Sequence, residues 1–316
     1  MPPRIPSTKM PVTMSAPPMN EMRGEMRGDM AWNCLRGLSM EMTAKDMSSL
    51  ALVAARLAPG TIVSVPFLPN QSDADRVEAA AAIRKCNFSP MPHIAARRLA
   101  SHKALETLLE QWATRARVDR LLVLAGDCAK PEGPFTDALA VIKTGLLGQY
   151  GIRHAVISGY PEGHPKISVQ LLAQAMRDKL AALAELGIAA EIATQFCFSA
   201  EPVLAWLAQL RAGGIDVPVR LGVPGPASLR TLLRYAALCG VRASASVLAR
   251  YGFSLPRLMN HTGPDLIVSD LAEGLTQAQH EKVFAHFYPF GGMDDMLSWI
   301  DRRSFRHIPA SKVGNS

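Results

Sequence analysis

The chain has 316 residues, 48% of them hydrophobic, which is enough for one large α/β barrel or two medium domains. No apolar run is long enough to span a bilayer, so we predict no membrane partner. The formal net charge of +7 is scattered and is not combined with a basic-aromatic motif. This pattern argues against nucleic-acid binding and suits an acidic or phosphate-bearing small ligand.

Short β-like runs alternate with helical patterns from Leu38 to the end of the chain. Before them, residues 1–30 combine several prolines with many methionines, so we predict a flexible N-terminal arm and a single domain over 31–316. The predicted strands cover 38–42, 61–65, 91–95, 121–124, 153–157, 191–194, 219–223 and 283–288. The predicted helices cover 46–57, 73–84, 103–113, 137–147, 170–186, 202–212, 229–238 and 294–302.

Eight strands that alternate with helices predict a (β/α)8 TIM barrel, a fold of about 250 residues. The stretch 241–282 is longer than one crossover needs, and we predict small helices in it, including 246–251 and 277–281. A doubly wound open sheet is the alternative, but no Gly-x-Gly-x-x-Gly follows any strand. The five cysteines are widely spaced and form no Cys-x-x-Cys pair. This spacing predicts a reducing, cytoplasmic location and neither a disulfide framework nor a metal site, and no secretory signal stretch is present.

Polar and aromatic residues follow the predicted strands, at positions that face one shared mouth in a barrel. They are Glu41, Pro66, Phe67, His93, Asp127, Ser158, Tyr160, Gln195, Gly222 and 287–290. Glu41 lies in a run that otherwise reads as buried, and an inward carboxylate there suits a general acid. Each residue also has a simpler interpretation. His93 alone reads better as a core histidine, Asp127 as the start of a turn, and the segment 158–165 as a proline-rich turn.

At these residues the chain resembles the methylenetetrahydrofolate reductase family. Ser-Gly-Tyr-Pro-Glu-Gly-His-Pro at 158–165 is similar to the Tyr-Pro-Glu-x-His-Pro segment that follows the fifth strand of that family. Shorter matches lie at Ser39-Met40-Glu41, Pro92-His93, Gly126-Asp127 and Thr194-Gln195-Phe196. Each is weak alone, but five matches in order on an eightfold strand pattern indicate a divergent, bacterial-type member that consists of the catalytic barrel.

The resemblance implies an FAD-dependent oxidoreductase of one-carbon metabolism and methionine biosynthesis. Such an enzyme interconverts 5,10-methylenetetrahydrofolate and 5-methyltetrahydrofolate with NADH or NADPH. By the family pattern, Glu41 would be the general acid. Asp127 and Gln195 would form hydrogen bonds with the pterin, and Asp127 would also set the charge beside the flavin. Tyr235 falls where the family stacks an aromatic ring on nicotinamide or folate. The remaining FAD contacts implied by the resemblance are His93, Ser158, Tyr160, His164 and Lys179, with Lys179 at the pyrophosphate.

The chain departs from the family pattern in several places. Met42-Thr43-Ala44 replaces aromatic and proline residues, Ala125 replaces an arginine, and residues 289–292 lack a basic residue that the family places near the folate tail. Two alternatives stay open: the same site run as a 5-methyltetrahydrofolate oxidase in a demethylation pathway, or a folate- or flavin-binding barrel without catalysis. The sequence leaves open the choice of nicotinamide cofactor, the direction of the reaction and whether the protein forms homo-oligomers.

Overall fold

Eight parallel strands close into a barrel in the order of the chain, β1 to β8. The computed structural model describes residues 36–68, 71–241, 263–276, 279 and 282–305. The strands are β1 (Ser39–Glu41), β2 (Ile62–Val65), β3 (Ser89–Ala95), β4 (Arg120–Leu124), β5 (His154–Gly159), β6 (Ala189–Phe196), β7 (Val219–Pro224) and β8 (Val283–Tyr288). Pairing of β1 with β8 closes the ring. The predicted TIM barrel is therefore confirmed, and all eight predicted strands overlap observed ones.

Helices surround the barrel in the described residues. They are α1 (Leu50–Ala54), α2 (Asp73–Lys85), α3 (His102–Gln111), α4 (Ala138–Ile142), α5 (Leu146–Gln149), α6 (Val169–Glu185), α7 (Ala200–Ala212), α8 (Leu229–Cys239), α9 (Asp265–Gly274) and α10 (Met293–Phe305). None of the helices in the described part of the chain has the length and hydrophobicity needed to cross a bilayer.

Three predicted helices differ from the observed ones. The helix expected over 137–147 is divided into α4 and α5, because Gly145 between them has a φ of 72°. The helix expected over 46–57 begins as a 3-10 helix, Ala44–Ser49, and α1 follows it. After α3 the chain continues as a π-helical turn, Trp112–Ala116. The predicted arm 1–30 and the helices predicted at 246–251 and 277–281 lie outside the described residues, except for residue 279.

Short polar side chains fix the points at which strand-end loops turn into helices. Ser72, Ser101, Asp137, Ser168 and Ser228 each accept a hydrogen bond from a backbone N–H in the first turn of the following helix. Such caps satisfy donors that the helix leaves unpaired and contribute about 1 kcal/mol each. The caps therefore set the length of these five loops at the carboxyl end of the barrel.

The interior of the barrel holds both apolar and polar side chains. Met91, Leu122, Val156 and Ala193 form an apolar cluster separate from the main core between strands and helices. The interior also holds buried polar and charged residues: Ser39, Ser64, His93, Glu191, Arg220 and His286. Because residues two apart on a strand share a face, these side chains come from the inward positions of their strands. The candidate site lies at the carboxyl end of the strands that carry these polar residues.

Candidate active site

A carboxylate faces two imidazoles at the mouth of the barrel. Glu41 is the last residue of β1, and its side chain is 19% exposed. Its Oε1 atom lies 3.8 Å from Nε2 of His93 on β3 and 3.9 Å from Nε2 of His286 on β8. Both separations are longer than a hydrogen bond, so the carboxylate faces both rings without being bonded to either. One carboxylate oxygen of Glu41 thus lies within 4 Å of both histidine rings.

His93 is a buried, neutral histidine. Burial lowers its pKa from 6.5 to about 4, although the charge of Glu41 acts in the opposite direction. Its Nε2 atom lies 2.6 Å from Oγ of Ser64 on β2, and its backbone carbonyl accepts a hydrogen bond from the Arg76 guanidinium. Arg76 also lies 5.1 Å from the centroid of the Phe67 ring. The end of β3 is therefore held from both its side chain and its backbone.

His286 is a residue of the site that the sequence analysis missed. Its ring is fully buried, and Nδ1 lies 2.8 Å from Oγ of Ser39 on β1. Within the part of the chain that the structure describes, its Nε2 atom has no hydrogen-bond partner. The only sequence signal for His286 was the alternation of inward and outward side chains along β8. His286 stands two residues before Tyr288 and shares its inward face.

A buried ion triad lies deeper in the barrel. Arg220 on β7 donates to Glu191 on β6 through Nε at 2.8 Å, and Arg120 on β4 donates to the other carboxylate oxygen. Burial would raise the pKa of Glu191, but the two guanidinium groups outweigh it and the pKa lies below its usual value. Arg220 also donates through Nη1 to Oγ of Ser39 at 3.2 Å and to the carbonyl of Gly37 at 3.1 Å. The triad is thereby joined through Ser39 to His286.

The Thr-Gln-Phe motif forms an irregularity in β6. The register with β7 shifts between Ala193 and Phe196, and the N–H of Gly222 donates to Oγ1 of Thr194 at 2.8 Å. A Cβ atom on Gly222 would lie 2.7 Å from the carbonyl of Gln195, so glycine is needed for this close approach. The Gln195 side chain accepts from the N–H of Phe196 at 3.1 Å. The motif therefore fixes the position of Gln195.

The segment after β5 forms a tight turn. The N–H of Gly163 donates to the carbonyl of Tyr160 at 3.0 Å, with Pro161 in the second position of the turn, where proline is favoured. Gly163 has a φ of 78°, which suits a residue without a Cβ. The rings of Tyr160 and His164 then meet edge to face with centroids 5.4 Å apart. Burial raises the pKa of Tyr160, and a hydrogen bond with Ser158 opposes this.

A cavity of about 540 Å³ lies between this turn, the end of β6 and the end of α8. Its lining includes Tyr160, His164, Gln195, Phe196, Cys239 and Val241. Burial raises the pKa of Cys239 to about 11, and the charge of Glu41 acts in the same direction. Glu41 itself is not among the residues that line the cavity. Three of the predicted site residues, Tyr160, His164 and Gln195, are thus brought together here.

Aromatic rings continue from the cavity toward β8. Tyr235 on α8 stacks on Phe290, with centroids 4.2 Å apart and planes inclined by 14°. Phe290 also contacts Phe196 at 4.9 Å and Tyr288 at 5.6 Å. Burial raises the pKa of Tyr288 well above its ordinary value, with Glu41 as a further cause, so its hydroxyl stays protonated and donates to the carbonyl of Thr194 at 3.2 Å.

Six of the predicted site residues do not line the cavity: Glu41, His93, Asp127, Ser158, Lys179 and Tyr235. The Asp127 carboxylate is 70% exposed and accepts from Arg98 at 3.1 Å. Lys179 lies on α6, where burial lowers its pKa and the charge of Asp137 opposes the shift. The structure therefore leaves Asp127 and Lys179 outside the cavity.

The comparisons with known proteins agree on one family. A sequence profile of methylenetetrahydrofolate reductase matches residues 42–290. A 5,10-methylenetetrahydrofolate reductase of Pectobacterium carotovorum subsp. carotovorum is 27% identical over 183 residues, which cover 57% of this chain and 59% of that protein. Methylenetetrahydrofolate reductase 2 of Saccharomyces cerevisiae is 31% identical over 109 residues, which cover 33% of this chain and 17% of the yeast protein. The chain therefore matches less than two thirds of either relative.

The fold also has a solved counterpart. An uncharacterized protein from Clostridium thermocellum that binds two copies of 5-methyl-5,6,7,8-tetrahydrofolic acid superposes with a TM-score of 0.58, over 88% of this chain and 99% of that one. At 10% sequence identity this likeness supports the barrel fold. Because the family profile spans 42–290 of the 316 residues, the chain belongs to the methylenetetrahydrofolate reductase family.

Proposed function

We propose that this chain binds FAD and a tetrahydrofolate at the barrel mouth and interconverts 5,10-methylenetetrahydrofolate and 5-methyltetrahydrofolate with NADH or NADPH. The observation that carries the proposal is the carboxylate of Glu41, which lies within 4 Å of two buried imidazoles at the carboxyl end of β1. Family membership supplies the reaction class. A folate-type ligand is also what the Clostridium protein of the same fold is described as binding.

The residues around the cavity fit part of a flavin dinucleotide. A volume of about 540 Å³ lies within the range of small-molecule sites. Tyr160 and His164 would supply a polar aromatic corner, and the apolar wall at Phe196 would suit a planar heterocycle. Bound FAD would supply the hydride chemistry between the nicotinamide cofactor and the one-carbon unit. Ser158 would act through its hydrogen bond to Tyr160.

Glu41 is suited to protonate the folate. Reduction of the one-carbon bridge requires the five-membered ring of the substrate to open, and this requires a proton on the departing nitrogen. A positioned carboxylic acid supplies such a proton. An imidazolium beside Glu41 would favour the ionised carboxylate, but burial keeps His93 neutral near pH 7. His93 therefore orients the carboxyl group without fixing its charge.

The remaining predicted residues would orient the substrate. Gln195 lines the cavity beside the aromatic rings and would hydrogen-bond the pterin edge. Tyr235 would exchange its stacking partner Phe290 for a ring of the ligand. Asp127 would reach the pterin by leaving Arg98. Lys179, on α6, would meet the pyrophosphate of FAD. The oxidase direction would use the same residues, since every step retraces the same path.

Flavin retention and reduction test the proposal directly. Purified protein is incubated with FAD, passed through gel filtration and examined by visible spectroscopy under anaerobic conditions. We expect bound flavin that is bleached by NADH or NADPH and recovers when methylenetetrahydrofolate is added. His164→Ala should weaken FAD retention, whereas His102→Ala, at an exposed histidine outside the cavity lining, should leave it unchanged. Protein that keeps no flavin in excess FAD would contradict the proposal.

A further inference from the structure

Hydrogen bonding around Ser39 determines where His286 carries its proton. Within the described residues, Oγ of Ser39 has two side-chain partners, Nη1 of Arg220 at 3.2 Å and Nδ1 of His286 at 2.8 Å. A guanidinium can only donate, so Ser39 accepts from Arg220. Its own hydroxyl hydrogen is then directed to Nδ1 of His286. The neutral ring consequently carries its hydrogen on Nε2.

The opposite tautomer would leave two buried groups unsatisfied. A hydrogen on Nδ1 would occupy the second lone pair of Ser39, and the Ser39 hydroxyl would then have no acceptor among the described residues. It would also direct the lone pair of Nε2 toward Oε1 of Glu41, 3.9 Å away. Unsatisfied buried groups cost about 1–3 kcal/mol each. Both penalties favour the Nε2–H form of the ring.

In this form the Nε2–H group is directed at Glu41. Nε2 is buried and has no hydrogen-bond partner in the described part of the chain, and the separation of 3.9 Å exceeds a hydrogen bond by less than 1 Å. His286 is fully buried, whereas the Glu41 side chain is 19% exposed. A rotation of the Glu41 side chain, the more exposed partner, would close the gap.

We propose that Arg220 and Ser39 lock His286 in its Nε2–H tautomer, and that His286 is a positioning residue that holds one carboxylate oxygen of Glu41 while the other faces the substrate. The tautomer stands independently of the reaction, whereas the positioning role rests on the proposed function. Glu191 compensates the charge of Arg220, so the lock introduces no unpaired cation into the barrel.

Other titratable groups face this arrangement. His93 approaches Glu41 from β3 at 3.8 Å and is neutral because burial lowers its pKa to about 4. The Tyr288 ring meets the His286 ring edge to face at 5.0 Å and stays protonated. Cys239 on α8 also stays protonated, with a pKa raised to about 11 by burial. The charged group that contacts this arrangement from the interior of the barrel is therefore Arg220, which is paired with Glu191.

Nuclear magnetic resonance of protein labelled with 15N-histidine tests the lock. His286→Gln identifies the signals of this ring by their loss. We expect a pyrrole-type Nε2 and a pyridine-type Nδ1 in the wild-type protein, and a mixture of tautomers in Ser39→Ala. A pyrrole-type Nδ1 in the wild type would overturn the lock, whether or not the protein turns over folate.

Half-reaction kinetics test the positioning role. His286→Gln keeps a donor near the position of Nε2 and should retain folate reduction within a few-fold. His286→Leu removes the donor and should slow that step by about 10- to 100-fold, as expected for a hydrogen bond to a charged group. Flavin reduction by the nicotinamide cofactor reports whether each variant keeps an intact site. His154→Gln is the matched control, because His154 is the first residue of β5 and so lies at the amino end of the barrel strands.

The outcomes separate the two claims. Equal folate reduction in His286→Leu and wild type would overturn the positioning role. Equal loss in His286→Gln and His286→Leu would show that ring packing matters rather than the donor, which also overturns it. Wild-type protein that binds FAD but never reacts with folate would contradict the proposed function and, with it, the role of His286 in positioning an acid, while the tautomer would still be decided by the resonance experiment.

Discussion

Replacing Glu41 by glutamine removes an acid and leaves its shape in place. The amide matches the carboxyl group in size, and it stays within reach of the imidazoles of His93 and His286. The change therefore tests proton donation rather than packing. Reduction of flavin by the nicotinamide cofactor needs no proton on folate, so we expect that half-reaction to continue nearly unchanged. Transfer to methylenetetrahydrofolate should slow.

The magnitude follows from the neighbours of Glu41. Loss of a positioned general acid slows a reaction by about 10²- to 10⁴-fold, or about 3–5 kcal/mol in the barrier. His93 is the nearest substitute acid on β3, but its pKa of about 4 leaves roughly one molecule in a thousand protonated at pH 7. In the Nε2–H form His286 is a neutral imidazole, whose N–H group is far too weak an acid to replace a carboxylic acid. We therefore expect the upper part of the range, about 10³–10⁴.

The fold should tolerate this substitution. Within the described residues, the groups recorded within 4 Å of the carboxylate are the two imidazoles, and His93 is neutral, so no cation there loses a partner. Substitutions that leave no unpaired charge usually change stability by about 1 kcal/mol or less. Thermal denaturation of the variant should accordingly resemble that of the wild type.

Anaerobic stopped-flow spectroscopy measures the two half-reactions separately. The flavin band is followed first during mixing with NADH or NADPH, and then during mixing of reduced protein with methylenetetrahydrofolate. Glu110→Gln, at an exposed position on α3, controls for loss of a negative charge. Equal slowing of both steps in Glu41→Gln would assign Glu41 a structural role, and an unchanged folate step would remove it from proton transfer. Either result refutes the reasoning.

Three further predictions concern stability. Burial lowers the pKa of His93 from 6.5 to about 4, so the unfolded chain binds a proton at a higher pH than the folded protein does. The free energy of unfolding should therefore be highest above about pH 6.5 and fall by about 3 kcal/mol as the pH approaches 4. In urea unfolding, the free energy of unfolding of His93→Gln should depend less on pH over this range. Glu191→Gln leaves two buried guanidinium groups without their carboxylate and should lower the free energy of unfolding by about 3–5 kcal/mol in chemical denaturation. Glu78→Gln breaks an exposed ion pair and should lower it by less than about 1 kcal/mol. Gly222→Ala should lower the melting temperature, with a cost of about 1–3 kcal/mol, because its Cβ would lie 2.7 Å from the backbone of Gln195; an unchanged melting temperature would contradict the close approach of β7 to β6.

The barrel was predictable because local chemistry marks each element. Strands are short apolar runs, and the helices after them begin at capping residues such as Ser72 and Ser168, which the sequence displays directly. The interruption at Gly145 was not predicted, because a single glycine within an apolar stretch is compatible with a continuous helix. Only its positive φ in the folded chain decides the matter.

The site was predictable where its residues belong to recognisable motifs. Glu41, Tyr160 and Gln195 stand in such motifs, and the structure places the latter two on one cavity and Glu41 beside two buried imidazoles at the end of β1. His286 was missed because one imidazole inside the run Val283–Tyr288 reads as a core residue. Its role depends on closure of the barrel between β8 and β1, which no local pattern encodes.

Charged partners were the least predictable part. Glu191 and Arg220 stand at strand positions that could equally face solvent, and their pairing follows from barrel geometry rather than from spacing along the chain. The exposed carboxylate of Asp127 is bound by Arg98, which lies 29 residues earlier in the chain, and sequence does not reveal which of several nearby arginines will bind it.

The polar interior of the barrel bears on the order in which the protein is made. Ser39 and His286 are 247 positions apart, so their hydrogen bond forms only after the ribosome has synthesised β8. Until then Ser39 lacks an acceptor and Glu41 lacks one of its two imidazoles, although β2 and β3 are already available to pair with β1. The residues of the apolar cluster come from β3 to β6 and are all synthesised earlier. The pair of imidazoles that faces Glu41 is therefore completed by the last strand of the barrel to be translated.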